Sequence, residues 1–199
     1  MAEPLAASSA FASRHGGPEA PAAAAVSAGF AFQERTNIAL ANVMARRGQA
    51  QEASIWAGEE LGLMLPMTPT RVTNGAIVFA WAGPGRWLAE CAEETGERLV
   101  ARLRDALGKA AAVSDQSDGR AILRIRGARA RNVLAKGLPV DTHPSVMQPG
   151  AVVLSAIGHI GVHLWQVDDA PAYDCVVARS YARDFLNWIE VASAEYRQG

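Results

Sequence analysis

The sequence is short of the features that announce chemistry. It holds two cysteines, Cys91 and Cys175, far apart and without CxxC spacing. That excludes a two-cysteine zinc or redox motif and a disulfide framework, and leaves two small buried thiols as the plain reading. No apolar run reaches the roughly 18–20 residues that span a bilayer. There is no GxSxG elbow, no SxxK, no GxGxxG after a strand and no GxxxxGK[ST] loop, which removes the familiar nucleophile and phosphate cradles. An excess of one charge is missing too: 19 basic residues face 20 acidic ones, for a net charge of −1. Nothing global draws this chain to nucleic acid or to an anionic membrane. Large side chains are scarce in residues 1–32, which are mostly Ala, Ser, Gly and Pro. Such a segment has little with which to offset its ordering entropy, and reads as a flexible N-terminal arm ahead of a single domain over 33–199. The Ala-rich stretch 20–32 lacks the Leu and Ile of a secretory leader and follows Glu3 and Glu19, so the expected location is cytoplasmic.

What is present is an ordinary globular composition, with half of the 199 residues apolar and a fifth charged, enough to bury a sizeable core. Residues 33–53 predict partial helix, with Ile38, Val43 and Met44 as a thin stripe and Gly48 as a stop. Asn74-Gly75 predicts a hairpin leading into a buried strand, Ala76–Ala82, and the turn Gly83-Pro84-Gly85. The clearest helix spans 95–108, with Thr95 as N-cap, Glu97 in the first turn, and Leu99, Leu103, Ala106 and Leu107 on one face. Residues 120–126 alternate as a strand, Ala121, Leu123 and Ile125 on one side and Ile122, Arg124 and Arg126 on the other. Gly127 turns that strand into a short helix carrying Ala130, Val133 and Leu134. Two further strands follow Pro149-Gly150, and an acidic turn at Asp168-Asp169 leads to a third. A last helix is expected to start at Ser180 and bury Tyr181, Phe185, Trp188 and Ile189. Strands followed by helices, twice over and with hairpin links, predict an α+β domain of mostly antiparallel sheet with packed helices, its two halves sharing one rhythm.

Candidate chemistry is thin. His159 and His163 share a ligand spacing, but bring no further ligands for zinc; strand or surface roles fit them better. His143, between Asp141 and Pro144, reads as a loop tether before it reads as an acid or base. Asp115, Asp118, Asp168, Asp169 and Asp174 lie at turns, where solvated or capping carboxylates are the plainer assignment. The basic cluster Arg120, Arg124, Arg126, Arg129, Arg131 and Lys136 is the most suggestive feature. It suits a cofactor phosphate or an acidic partner surface, or a solvated face; without interleaved aromatics, nucleic acid is the weakest option. The five arginines are the candidate partner interface. The tryptophans at 56, 81, 87, 165 and 188 are core candidates, some of them interface candidates.

Three stretches carry a family resemblance. SDGRAILRIRGARARNVLAKGLPVDTHP (117–144) resembles the hallmark segment of the gamma subunit of heterotetrameric sarcosine oxidase. Trp81-Ala82-Gly83-Pro84-Gly85-Arg86-Trp87-Leu88 is similar to that family's tryptophan–glycine–proline turn, and residues 161–189 are similar to its C-terminal strand–turn–strand–helix. Gly85-Arg86, Leu138 and Thr142 depart from the usual pattern and suggest a divergent branch. The resemblance implies a fold like the folate-binding domain of the glycine-cleavage aminomethyltransferase, built from two related halves. It implies a non-catalytic structural subunit of a flavoenzyme that demethylates sarcosine, or a related secondary amino acid, coupled to tetrahydrofolate. It also implies alpha, beta and delta subunits as partners, with FAD, FMN, NAD, zinc and tetrahydrofolate held by those other subunits and none by this chain. No catalytic, cofactor-binding or metal residue carries over. The alternative is a stand-alone folate-binding or one-carbon transferase-like protein.

Overall fold

The computed structural model describes residues 9–11 and 29–196; most of the expected N-terminal arm, 1–8 and 12–28, lies outside them. In chain order the elements are β1 (Ala31–Glu34), β2 (Ala39–Ala45), α1 (Ala50–Leu61), β3 (Arg71–Thr73), β4 (Ile77–Trp81), β5 (Arg86–Cys91), α2 (Gly96–Leu107), β6 (Ala111–Asp115), β7 (Arg120–Arg126), α3 (Ala130–Ala135), β8 (Val152–Ile157), β9 (Ile160–Asp168), β10 (Ala172–Ala178) and α4 (Ala182–Ala192). Among the described residues no helix is long and apolar enough to cross a membrane.

The strands make two antiparallel five-stranded sheets, ordered β3-β4-β5-β2-β6 and β8-β9-β10-β7-β1. Each sheet turns one face to a pair of helices. Leu99, Leu103 and Leu107 of α2 and Ala53 and Ala57 of α1 pack with Ala41, Phe79 and Trp87 of the first sheet. Val133 and Leu134 of α3 and Phe185 and Ile189 of α4 pack with Leu123, Leu164 and Tyr173 of the second. The remaining faces meet each other through Leu40, Ala80 and Leu88 on one side and Ile122, Val152, Trp165 and Val176 on the other. The result is four layers, helix–sheet–sheet–helix.

The expected two halves are visible in the topology. β2-α1-β3-β4-β5-α2-β6 and β7-α3-β8-β9-β10-α4 follow the same course and give the same strand order, with β8 in the place of β3 and β7 in the place of β2. Among the described residues, the second half has no strand after α4. β1, from the other end of the chain, fills that position and pairs with β7 from Ala31↔Arg126 to Glu34↔Leu123. Phe30, almost fully buried, packs in the same core. The domain therefore takes in residues ahead of 33. Ser9–Phe11 also lies on it, through the buried Phe11 ring and through Glu34, which accepts from the Ser9 hydroxyl and from the Ala10 N–H at 3.0 Å.

Several local expectations hold. Thr95 caps α2, its hydroxyl accepting from the Arg98 N–H. The Asn74-Gly75 hairpin joins β3 to β4, but only Gly75 takes a positive φ (94°); the Asn74 Oδ1 closes the turn by accepting from the N–H groups of Ala76 and Ile77. Residues 33–53 are a correction. They form β1, β2 and only the start of α1. β2 is buried on both faces, Ala41 and Val43 toward the helices and Leu40 toward the other sheet, so it shows no alternation, and its alanines carry no strand propensity. The last helix starts at Ala182 after a 3₁₀ turn, without a side-chain cap, and Tyr181 is exposed rather than buried.

Trp188 of α4 is gripped by two glycines. A Cβ at Gly137 would stand 2.5 Å from its ring, and one at Gly158 2.9 Å, the latter in the β8–β9 turn at φ +53°. Gly158→Ala adds a steric clash to an unfavourable backbone conformation. It is expected to lower stability by about 1–3 kcal/mol, seen as a lower urea midpoint at unchanged m-value; an unchanged midpoint would refute the grip.

Candidate functional site

The chemistry-bearing residues gather in the layer between the sheets. Arg124 of β7 and Asp174 of β10 are directly opposite in register. The Arg124 guanidinium donates from Nε and Nη2 to the two Asp174 oxygens, each at 2.7 Å. Arg35, in the crossover from β1 to β2, donates from Nη1 to Asp174 Oδ2 at 3.0 Å and lies 2.5 Å from Glu90 Oε1 of β5. Asp174 belongs to one sheet and Glu90 to the other, and both are almost completely buried. One guanidinium thus joins the two halves. Glu90 Oε2 and Arg71 Nε are buried without hydrogen-bond partners among the described residues. Burial pushes the Glu90 carboxyl above its ordinary value of 4.5, against the pull of Arg35. Burial also lowers the Arg71 guanidinium, while the hydrogen bond from Arg124 to Asp174 holds Arg124 up. A buried charge costs several kcal/mol of solvation, so this arrangement survives only because the charges are mutually compensated.

The five candidate arginines do not share one surface. Arg120, at the start of β7, lines a cleft; Arg124 is committed to Asp174 between the sheets, which corrects the expectation of an open arginine side to the strand. Arg126 is exposed at the far end of β7. Arg129 stands 5.6 Å over the Tyr196 ring. Arg131 donates from Nε to the Thr142 carbonyl at 2.9 Å and lies 5.9 Å over Tyr173. Lys136, the sixth member of the cluster, pairs with Glu195 at 2.6 Å.

The other candidates are structural in placement. His159 is exposed in the β8–β9 turn with φ 71°. His163 is buried, its Nε2 bonded to the Trp81 carbonyl at 3.0 Å, and burial lowers its pKa to about 4; it is a neutral donor far from zinc chemistry. His143 ties its loop, Nδ1 meeting the Ser145 hydroxyl at 2.7 Å while its N–H donates to Asp141. The Asp141 carboxylate contacts the His143 backbone and not its ring, so this trio lacks the orientation of a catalytic triad. Both cysteines are buried, and burial raises the Cys175 thiol far out of the reactive range. Among the described residues, no group of three His, Cys, Asp or Glu side chains converges on a metal position.

A cleft of about 670 Å³ opens where both crossovers between the sheets pass, at Arg35–Ile38 and Ser117–Gly119, beside the start of α2. Its guanidinium groups (Arg35, Arg98, Arg120, Arg179) are interleaved with carboxylates (Glu34, Glu93, Glu94, Asp118). Mixed charge of this kind does not fit a dinucleotide pyrophosphate or a polyglutamate tail.

A sequence profile of the "Sarcosine oxidase, gamma subunit family" matches residues 47–195. The chain belongs to that family. The Arthrobacter sp. sarcosine oxidase subunit gamma is 30% identical over 158 residues, 77% of this chain and 75% of that one. The corresponding subunit of Corynebacterium sp. (strain P-1) is 29% identical over 143 residues, 69% and 68% of the two chains. In structure, the chain is similar to one in the heterotetrameric sarcosine oxidase from Corynebacterium sp. U-96, with a TM-score of 0.76, 24% identity, and 89% and 90% of the chains covered. It is similar in fold to aminomethyltransferase T of the glycine cleavage system from Bartonella henselae, with a TM-score of 0.60, 13% identity, 82% of this chain and 46% of that one. The three motif stretches all lie within the family match.

Reading the sequence alone misses Arg35, Arg71, Glu90 and the partners of Asp174. The available signal was a lone acid inside an apolar strand, Glu90 in RWLAEC and Asp174 in AYDCVVA, since such a charge needs a buried partner.

Arg35→Ala should destabilise the fold by about 3–5 kcal/mol, because it strands the buried Glu90 carboxylate and removes one donor from Asp174. Glu90→Gln should cost far less. Since Glu90 is raised on folding, its contribution is full below pH 4.5 and is lost as pH rises through the folded value. His163 is lowered to about 4, so its contribution is full above 6.5 and is lost as pH falls toward 4. Denaturant midpoints between pH 4 and 8 should therefore show Glu90→Gln removing a decline of stability with pH, and His163→Gln removing a rise. Parallel profiles for all three proteins would contradict these assignments.

Proposed function

We propose that the chain is a non-catalytic, structural subunit of a heterotetrameric sarcosine oxidase-type complex. Family membership carries the reading. The complex would oxidise sarcosine or a related secondary amino acid, coupled to tetrahydrofolate, with alpha, beta and delta subunits as partners and the FAD, FMN, NAD, zinc and folate sites outside this chain. Supporting it, the groups able to do chemistry here are tied into the fold: the Asp174 and Glu90 carboxylates into the inter-sheet ion network, His163 into the Trp81 carbonyl, and the thiols into the core. A stand-alone folate-binding protein rests on shared fold alone, and the mixed charge of the cleft speaks against it.

Of the candidate interface arginines, Arg126 and Arg129 are exposed and form the part most suited to meet acidic groups on a larger subunit. Arg120, Arg124 and Arg131 would support the surface from within.

The isolated chain should be colourless, without flavin absorbance, and inactive on sarcosine; flavin-dependent turnover by this chain alone would overturn the reading. The double variant Arg126→Glu/Arg129→Glu should fold normally but lower the yield of co-purified large subunits several-fold, an expected loss of about 1–2 kcal/mol in association. Unchanged yield would remove these arginines from the interface.

A further inference from the structure

Open sheet edges invite pairing, and proteins guard them by shortness, charge or cover. Three of the four edge strands here are guarded. β3 has three residues. β6 ends in Asp115, and the Val113 carbonyl accepts from Arg104 Nη2 at 3.0 Å. β1 has four residues and ends in Glu34, which is held by Ser9 and Ala10.

β8 is different. Its six residues, VVLSAI, include no charge and no proline. It pairs with β9 on one side, from Val152↔Trp165 to Ile157↔Ile160. The chain itself covers the first part of the other side: the Val152 N–H donates to the Pro69 carbonyl at 3.0 Å, and the Arg71 N–H donates to Gly150 at 2.7 Å. The chain then leaves as β3 for the other sheet. By the antiparallel alternation that places the Val152 N–H outward, the N–H and C=O groups of Leu154 and Ala156 point outward as well. No hydrogen bond among the described residues reaches them. Beside them lies the face that carries Val152 into the contact with the other sheet. Leu154 is 46% exposed there, and the space around the Gly161 Cα is open.

We propose that the free part of β8, residues 153–157, takes up an extended segment of a partner subunit as an added antiparallel or parallel strand. This rests on the reading of the chain as a subunit of a hetero-oligomeric complex. The short Pro69–Arg71 stretch already shows the edge accepting a strand, and the partner continues the row where that stretch departs. The incoming segment is free of proline at its bonding positions, uncharged along the edge, and apolar where it meets Leu154 and Ala156. A second copy of this chain is the poorer occupant. Two residues' main-chain groups and one leucine side chain bury far less than the roughly 1,200 Å² of a stable specific dimer. A segment of a subunit anchored elsewhere needs no such area.

The test is hydrogen exchange of β8 in the purified heterotetramer and in the full chain alone, with Leu154→Lys as the variant. Lysine at this exposed position leaves the β8–β9 ladder intact and places a charge in the path of an incoming strand. The Leu154 and Ala156 amides should exchange rapidly in the chain alone and about tenfold slower or more in the complex. Leu154→Lys should lower complex yield without shifting the urea midpoint of the chain. Equal exchange in both states, or full yield with Leu154→Lys, would overturn the proposal while leaving the subunit reading untouched. Protection in the chain alone that grows with its concentration would also overturn it, in favour of self-pairing. Failure of the unaltered chain to enter a complex would instead defeat the subunit reading itself.

Discussion

The fold turns on a single guanidinium. Arg35 sits in the crossover between the sheets and meets Glu90 on one and Asp174 on the other, so that a single cation spans both. Layers joined only by Leu40, Leu88, Ile122 and Val176 could slide, because apolar contact has no direction. Hydrogen-bonded charge does have one. Buried ion pairs add little net stability once desolvation is counted, but removing one member is costly. The network therefore fixes how the two halves sit against each other more than it adds to their total stability. Arg124, bidentate on Asp174, holds the acceptor in place for Arg35.

How much of this was legible depended on where burial was one-sided. α2 shows its capping residue and one apolar face, and could be read directly. β7 alternates cleanly, so the two directions of its side chains were readable, but not what lay over the arginine side. A second sheet covers it, and a sheet-on-sheet contact between distant strands leaves no local mark. β2 was missed because it is covered on both faces and made largely of alanine. The family-bearing stretches were readable as motifs because they sit at turns, Gly83-Pro84-Gly85 and the Gly127 corner, where few residue types fit the backbone. The ion network was the least visible part, since its members come from a crossover, β3, β5, β7 and β10. Only the finished topology brings them together.

The same layer accounts for where the perturbed groups lie. In an enzyme, perturbed groups gather around open space. Here Glu90, Arg71 and His163 are perturbed by packing, and the cleft at the crossovers is lined by alternating charges. Shared fold carries no shared chemistry unless the residues come with it.

β1 has a consequence for the order of events in folding. The strand that completes the second half is made first and must wait for β7, some ninety residues later, before it has a partner. Pairings so distant along the chain close late and slow the search for the native state. The first half holds all its own strands and is able to assemble as it leaves the ribosome, whereas the second half draws its fifth strand from ahead of the first half. Cutting the protein between β6 and β7 would thus leave one self-sufficient piece and one incomplete one, although the two look equivalent in outline.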